Sequence, residues 1–361
     1  MYVITFLIIL AVLVLVHEFG HFFSAKKFGV RVDEFGLGFP PRLWSIRKGE
    51  TTYSLNAIPF GGFVKIFGET ESAESAPDAD LATSTESERS FVGKPRLVQA
   101  IILLAGIIMN VVFAWLLFSI AYMSGMTTGI SSQDAKYITD SHVVVLDVLP
   151  GSPAALAGFQ EGDELLSYSD PAAIQEITKD SAGKPITFQV LRLAETKDVT
   201  VTPERSSQTG NYMIGISMDT VGKASLPFYL AFWEGAKLTG RLFIGIVGGI
   251  YMLIHDAVLG HPDFSQISGP IGIARLVGDA SKLGFAYLLS FTAFISLNLA
   301  VLNLIPFPAL DGGRILFVAI EAIRRKSIDP KVANTVNAIG FGLLIILMLF
   351  VTYRDIVNIS G

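Results

Sequence analysis

The sequence predicts a polytopic α-helical membrane protein with about four transmembrane helices, a membrane-associated β-element and an inserted β-rich domain. Hydrophobic residues make up 51% of the 361 residues and charged residues only 16%, well below the roughly 25% of ordinary soluble domains. Four apolar stretches approach the length of about 20 residues that spans a bilayer. Between the second and third stretches lies a long insert with segments that alternate at the strand period.

Composition also excludes several classes of protein. The chain contains no cysteine, which excludes disulfide scaffolds, zinc fingers, thiol catalysis and iron–sulfur ligation. The net charge is −5, whereas nucleic-acid-binding proteins carry an excess of basic residues, so no nucleic-acid partner is expected. The apolar content is also far above that of a disordered chain.

The first predicted span lacks the basic start and the cleavage site of a signal peptide, so it is expected to be retained. The four predicted spans are Tyr2–Phe23, Leu97–Met123, Phe285–Ile305 and Ile339–Val351. A fifth apolar stretch, Phe228–Ile254, carries Glu234, Lys237 and Arg241 at helical spacing. Those charges predict an amphipathic helix at the membrane interface rather than a span.

Lysine and arginine counts orient the spans. Ten of these residues lie in the loop between the first two spans, and five lie between the third and fourth. Positive loops stay in the cytoplasm, so both of these loops are predicted to be cytoplasmic. Both termini and the long insert are then predicted to face outside.

The first cytoplasmic loop contains three distinct segments. Leu43–Ile46 and Thr52–Leu55 flank a polar turn and predict a hairpin. Asn56–Val64 is apolar, rich in glycine and contains a proline, which predicts a re-entrant element packed against the helices. Glu69–Ser90 is acidic and rich in Ser, Thr and Ala, which predicts a solvated, flexible loop.

The first span contains an HExxH motif formed by His17, Glu18 and His21. A four-residue spacing places both imidazoles on one face of a helix, where they can bind one zinc ion. Glu18 is then placed as general base on a zinc-activated water. Ionisable residues in a membrane helix are costly, which favours a functional interpretation. The alternative is a pair of histidines at a helix end that faces headgroup water.

A zinc site of this kind needs a third protein ligand, and no third histidine lies near the motif. The best candidate is Asp311, in a segment where two prolines break the helix after the third span. The first and third spans both run from outside to inside, so this carboxylate is predicted at the same depth as His17 and His21. The alternative is a helix stop with a solvated carboxylate.

Together these motifs resemble the site-2 protease family of intramembrane zinc metalloproteases, in its bacterial branch with an inserted PDZ domain. The resemblance covers nearly the whole chain. It rests on the HExxH motif, on Pro59–Gly68, on Ser268–Ile273 and on the Asn-x-x-Pro-x-Pro-x-Leu-Asp-Gly segment that starts at Asn303.

The resemblance implies a role for each site residue. The implied zinc ligands are His17, His21 and Asp311, with Glu18 as the catalytic base. The implied substrate-binding residues are Asn298, Asn303, Gly61, Gly62 and Phe63. The β-element would pair with an extended substrate by edge addition. For Asn298 a helix–helix hydrogen bond is an equal alternative.

The resemblance also implies an organisation and a substrate class. Residues 1–123 would hold the first two spans and the β-element, 137–221 the PDZ-like domain, 222–283 the interfacial helix, and 284–361 the last two spans. The expected location is the bacterial inner membrane, with the PDZ-like domain outside and the active site toward the cytoplasm. Expected substrates are single-pass membrane proteins such as anti-sigma factors, or remnant signal peptides.

Two other functions remain open. One is a catalytically silent membrane scaffold that holds partners through the PDZ-like domain, although a scaffold has no need of Glu18 beside two histidines. The other is a metal-ion transporter that uses the same ligands. A transporter needs polar residues that continue across the membrane, whereas these cluster at one depth.

Overall fold

The computed structural model describes residues 2–69, 87–129, 137–193, 195–206, 210–260 and 268–360. The chain forms two compact units. The first unit comprises Met1–Phe118, Gly235–Gly278 and Phe291–Gly361, and the second comprises Ser119–Glu234 and Asp279–Ser290. The predicted range 137–221 falls inside the second unit.

Helices dominate the first unit and strands the second. The helices of the described residues are α1 (Tyr2–Lys27), α2 (Arg96–Met123), α3 (Pro153–Ala157), α4 (Pro171–Asp180), α5 (Phe228–Val258), α6 (Pro270–Leu283), α7 (Phe285–Leu304), α8 (Asp311–Arg324) and α9 (Pro330–Ser360). The strands are β1 (Val32–Lys48), β2 (Thr51–Ile66), β3 (Met126–Gly129), β4 (Ile138–Val148), β5 (Glu164–Leu165), β6 (Ile186–Arg192), β7 (Glu195–Val201), β8 (Glu204–Arg205), β9 (Tyr212–Met213) and β10 (Ile216–Ala224).

By length and composition, five helices of the described residues could cross a membrane: α1, α2, α5, α7 and α9. Four of them contain the predicted spans, and α9 begins at Pro330, earlier than predicted. The fifth is α5, which contains the charged stretch that is predicted to lie at the membrane interface. By length and composition, the described residues therefore contain one more candidate membrane span than the four predicted.

Glycines bring α1 and α2 into close contact. A Cβ atom on Gly20 would lie 2.4 Å from the carbonyl oxygen of Ala105, and one on Gly106 would lie 2.3 Å from the ring of His21. Small residues let membrane helices approach this closely. The two helices run antiparallel, because Ile102 lies beside His21 and Asn110 lies beside His17.

A buried carboxylate joins α9 to the start of α6. Asp355 accepts hydrogen bonds from the backbone nitrogens of Gly269 at 3.1 Å and Gly272 at 2.7 Å. Near its other end α9 approaches the loop before α8, where a Cβ atom on Gly340 would lie 2.5 Å from Pro308. These contacts fix the direction of α9 within the first unit.

The β-element is a sheet folded from two long, bent strands. β1 and β2 pair antiparallel, with several register shifts. Residues 34–37 of β1 pair both with 52–55 and with 62–65 of β2, while 42–48 pairs with 51–56. The turn at Gly49, which has a φ of 65°, joins the two strands and confirms the predicted hairpin. Of the predicted flexible loop that follows, residues 70–86 lie outside the described residues.

The second unit contains a six-stranded sheet in the order β3-β10-β4-β5-β6-β7. Its core is apolar and includes Val143, Val145, Leu165, Ile174 and Phe188, each no more than 1% exposed. The strand-like runs predicted within residues 143–148 and 186–191 lie in β4 and β6. Alternating apolar residues therefore face this core, as the strand period predicts.

Candidate metal centre

The HExxH motif lies in the C-terminal half of α1, and its two imidazoles are buried. His17 is 7% exposed and His21 is 5% exposed. Because the residues are one helical turn apart, their rings meet edge to face, with centroids 4.8 Å apart. The two Nε2 atoms lie 3.2 Å from each other, so both nitrogens point to one location.

Asp311 reaches the same location from the start of α8. Its Oδ2 atom lies 2.9 Å from His17 Nε2 and 3.2 Å from His21 Nε2. The two glycines that follow are required by the turn, because Cβ atoms on Gly312 and Gly313 would each lie 2.2 Å from a backbone carbonyl oxygen. The Asp-Gly-Gly sequence thus lets the start of α8 fold tightly enough to present its carboxylate.

These three atoms fit a single small metal ion. Their mutual distances are 2.9, 3.2 and 3.2 Å, and ligand atoms on a tetrahedral zinc lie about 3.3–3.4 Å apart when each bond is about 2.0–2.1 Å. Asp311 Oδ2 is buried, yet it has no hydrogen-bond donor of good geometry among the described residues. A carboxylate oxygen and two imidazole nitrogens that converge without a donor have the chemistry of a zinc site. The same three residues are the cluster that the sequence predicts as metal ligands.

One face of α2 backs the two histidines. His21 Nδ1 lies 2.9 Å from the carbonyl oxygen of Ile102, and His17 Nδ1 lies 3.2 Å from Asn110 Nδ2. Gly106 lies between these positions and contacts His21. Residues 102, 106 and 110 are spaced four apart, so they share one helix face. None of the three is among the predicted site residues, although their spacing of four is visible in the sequence.

A cleft of about 370 Å³ adjoins the converging ligand atoms. It is lined by Glu18, His21, Phe63, Val64, Lys65, Ile66, Glu69, Asp311 and Arg314. The carboxylate of Glu69 and the guanidinium of Arg314 form an ion pair of 2.7 Å on its wall. The cleft therefore brings the predicted general base and one strand of the β-element beside the metal ligands.

The glycines of β2 pack against α1 next to Glu18. A Cβ atom on Gly62 would lie 3.7 Å from Glu18 Cγ and 2.9 Å from the carbonyl oxygen of Gly36. Gly61 has a φ of 99°, and a Cβ atom there would contact Phe39 at 3.3 Å. Phe63 lines the cleft itself. The structure thus places Phe63 at the cleft and Gly62 beside Glu18, while Gly61 packs against Phe39 and Val14.

The two predicted asparagines of α7 are placed differently. Asn298 Nδ2 donates to the carbonyl oxygen of Phe294 in its own helix at 2.9 Å. Asn303 is partly exposed near the end of α7 and forms no hydrogen bond with the described residues. Substrate binding by either side chain stays a prediction.

Sequence comparison decides the family. The profile of Peptidase family M50 matches residues 5–347. This chain belongs to Peptidase family M50, the site-2 protease family.

Its relatives include bacterial proteins that align with nearly the whole chain. A Clostridium perfringens protein named "Putative zinc metalloprotease" is 34% identical over 99% of each chain. The zinc metalloprotease RasP of Oceanobacillus iheyensis is 28% identical over 98% of each chain. Family membership and the apolar helices together identify a multi-pass membrane metalloprotease.

Proposed function

We propose that this M50 protein is an intramembrane zinc metalloprotease that cleaves the transmembrane segments of other membrane proteins. The observation that carries the proposal is the convergence of His17, His21 and Asp311 on one point, beside a cleft that Glu18 lines. A membrane scaffold has no need of a carboxylate at position 18 beside these three ligand atoms.

The zinc ligands in this proposal are His17 Nε2, His21 Nε2 and Asp311 Oδ2. When bound, zinc supplies a Lewis acid that polarises the scissile carbonyl and acidifies the attacking water. Three protein ligands would hold the ion beside a cleft that His21 and Asp311 line, and three protein ligands are typical of a catalytic rather than a structural zinc site.

Glu18 moves the proton. Its carboxylate takes a proton from water as the oxygen attacks the carbonyl carbon, and it passes that proton to the nitrogen of the peptide bond that breaks. Glu18 lies one residue from His17 and lines the cleft. Glu18 therefore lies next to the metal ligands, but it is not one of the three converging ligands.

The β-element binds the substrate backbone. Residues 62–66 of β2 pair with β1 on one side, so in the described sheet they form an edge segment. Residues 63–66 of this segment line the cleft. A transmembrane helix hides its carbonyl groups in hydrogen bonds and must unwind before it is cut. An unwound segment can pair with a sheet edge through its main chain, next to Gly61, Gly62 and Phe63. Asn298 and Asn303 are proposed to hold the substrate near the metal.

Helix directions support a cytoplasmic active site. Asp311 follows α7 and meets the C-terminal half of α1, while Gly278, which precedes α7, contacts Tyr2 at the start of α1. Hence α1 and α7 both run toward the metal centre. With the basic loops in the cytoplasm, the centre lies toward the cytoplasmic side and the insert lies outside.

The same directions bear on α5. Because α1 and α7 run in the same direction, the chain between them crosses the membrane an odd number of times, and α2 accounts for one crossing. A crossing by α5 would need a return before α7, where α6 has 14 residues. That helix is about 21 Å long, shorter than the roughly 30 Å hydrocarbon core. We therefore place α5 at the interface, with residues 222–283, and count four spans.

The substrate class follows from the family resemblance. The proposed substrates are single-pass anti-sigma factors or remnant signal peptides, presented within the lipid bilayer of a bacterial inner membrane. Residues 137–221 are proposed to act as a PDZ-like domain outside the membrane, where it admits substrates that have lost their outer portion.

The test is a cleavage assay with the full chain and a tagged single-pass substrate that lacks its outer domain. Glu18→Gln keeps the size of the side chain but removes the base. We expect the wild type to release a shorter tagged fragment and Glu18→Gln to lose it, with zinc binding unchanged. Glu176→Gln changes an exposed carboxylate of α4 and is the matched control, which should cleave like the wild type.

Two outcomes would redirect the assignment. Equal cleavage by the wild type and Glu18→Gln would refute the role of Glu18. Bound zinc without a fragment from any of several substrates would favour a scaffold, and zinc flux into vesicles would favour a transporter.

A further inference from the structure

We propose that Asn110 is a positioning residue that holds His17 in the tautomer that binds the metal. The inference rests on the proposed zinc centre but concerns a residue outside the HExxH motif and the Asp311 segment. It follows from one buried amide, one imidazole nitrogen and the helix that supports both.

Asn110 is fully buried and has an unused acceptor. The residue is 0% exposed, and its Nδ2 atom lies 3.2 Å from His17 Nδ1. Its Oδ1 atom has no hydrogen-bond partner among the described residues. A buried acceptor without a partner is unfavourable, so the orientation of this amide calls for a reason.

Metal binding by His17 supplies that reason. His17 Nε2 faces Asp311 and His21, so it is the nitrogen that a metal would take. The neutral ring then carries its hydrogen on Nδ1, which needs an acceptor. The oxygen and nitrogen of an amide group are nearly equal in shape and exchange places by a half-turn. That half-turn brings Asn110 Oδ1 to the position from which it accepts the Nδ1 hydrogen.

The two histidines solve the same requirement in different ways. His21 Nδ1 lies 2.9 Å from the backbone oxygen of Ile102, and a carbonyl can only accept. His17 faces an amide side chain, which can accept or donate according to its rotation. Ligating histidines commonly give their second nitrogen to such an acceptor, which fixes the ring and raises its basicity. The orientation of His17 therefore depends on the Asn110 side chain, which a substitution can remove, whereas the backbone acceptor of His21 cannot be removed in this way.

A third helix holds Asn110 in place. Ser296 of α7 is 0% exposed, and its hydroxyl donates to the backbone oxygen of Asn110 at 2.9 Å. The amide thus sits where α1, α2 and α7 meet. A helix–helix hydrogen bond with no effect on the metal is the competing role, and it predicts lost stability without a specific loss of zinc affinity.

The test measures zinc affinity of the purified full chain by competition with a chelating indicator, alongside the melting temperature of the chelator-treated protein. Asn110→Leu and Asn110→Ala remove the acceptor, and we expect each to weaken zinc binding by about 10–100-fold. Asn110→Asp keeps an acceptor and should stay within about threefold of the wild type, because carboxylates serve ligating histidines well.

Two controls separate the possible failures. Gln99→Leu removes another buried amide of α2, which bonds to Val92 and Lys94, and should leave zinc affinity unchanged. His17→Ala should abolish high-affinity binding. If His17→Ala still binds zinc tightly, the metal centre itself is wrong.

The role of Asn110 is overturned if Asn110→Leu and Asn110→Ala bind zinc like the wild type. It is also overturned if Asn110→Asp loses as much affinity as they do, since the acceptor would then be irrelevant. Should Asn110→Leu fail to fold, the comparison of Asn110→Ala with Asn110→Asp decides the question.

Discussion

Two aspartates, one in each unit of the protein, hold their carboxylates in opposite surroundings. Asp163 in the β-rich unit is 0% exposed, and it accepts from Arg192 at 2.6 Å through both oxygens and from the Gln160 backbone at 3.0 Å. Asp311 in the helical unit faces two imidazoles, and its Oδ2 atom has no hydrogen-bond donor within the described part of the chain.

The difference separates a carboxylate that residues of the chain supply with donors from one that we propose as a metal ligand. Burial of a charge is tolerated when every lone pair is satisfied, and Asp163 is satisfied by residues within about 30 positions. It raises the pKa of Arg192 above its ordinary value, because their hydrogen bonds favour the charged guanidinium. Asp311 instead meets partners near the other end of the chain, and together they leave room for a cation.

The sharpest test of this comparison replaces each aspartate with asparagine. Asp311→Asn should weaken zinc binding by at least about 100-fold, more than a change behind the ligands would, and abolish cleavage. Asp163→Asn should destabilise the β-rich unit by about 3–5 kcal/mol, because it breaks a buried ion pair. Zinc competition and thermal proteolysis of the full chain measure the two effects.

The loss of zinc affinity should be confined to Asp311→Asn, and the large loss of stability should be confined to Asp163→Asn. Asp163→Asn should bind zinc like the wild type at temperatures where it is folded. A stability loss in Asp311→Asn as large as that in Asp163→Asn, with zinc affinity kept, would make Asp311 a structural residue and end the distinction.

A second test changes the surroundings of the metal centre without touching a ligand. A Cβ atom on Gly106 would lie 2.3 Å from His21 Nε2, so Gly106→Ala should displace that ring. We expect zinc affinity to fall by about 10-fold or more, with a stability loss of about 1–3 kcal/mol from overpacking. Gly342→Ala is the matched control, because a Cβ atom there has nothing within 4 Å. Equal zinc affinity in both variants would contradict the close packing of α2 on His21.

The smallest effect is expected at a third carboxylate, which is paired but not deeply buried. Glu50 accepts from Lys26 at 2.7 Å and also from Arg89, and these cations lower its pKa below the ordinary value of a glutamate. A lowered pKa stabilises the fold above the unfolded-state value of about 4.3, and this stabilisation is lost as pH falls through the folded-state pKa.

Glu50→Gln should therefore cost less than about 1 kcal/mol at neutral pH. The difference from the wild type should shrink at pH 3, as measured by thermal unfolding at both values. A difference that persists unchanged in acid would mean that packing, not charge, connects the hairpin to α1.

Local patterns in the sequence predicted much of the fold and the chemistry. The lengths of the apolar stretches predicted the helices α1, α2, α7 and α9. The polar turn at Gly49 predicted the hairpin of β1 and β2. The four-residue spacing of His17 and His21 fixed their common helix face. Each of these signals is local, because helix period and turn chemistry act over a few residues.

Longer-range features were not readable in the same way. Asn110, Asn298 and Asn303 each lie in an apolar helix, but their surroundings differ. Asn110 contacts His17, while Asn298 bonds to its own helix. An amide has the same chemistry on any face of a helix. Its role depends on which face meets which neighbour, and that is decided by packing.

The sequence by itself determined the family, the helical character and the identity of the chemical groups. Composition, periodicity and motif spacing are properties of short stretches, and these stretches keep their meaning wherever the chain folds them. Only the tertiary structure decided that Asp311 meets His17 and His21 within 3.2 Å, that Gly106 makes room for His21, and that β2 lines the cleft beside Glu18. Those facts depend on contacts between residues far apart in the chain, which close packing of three helices and a bent sheet sets to within fractions of an ångström.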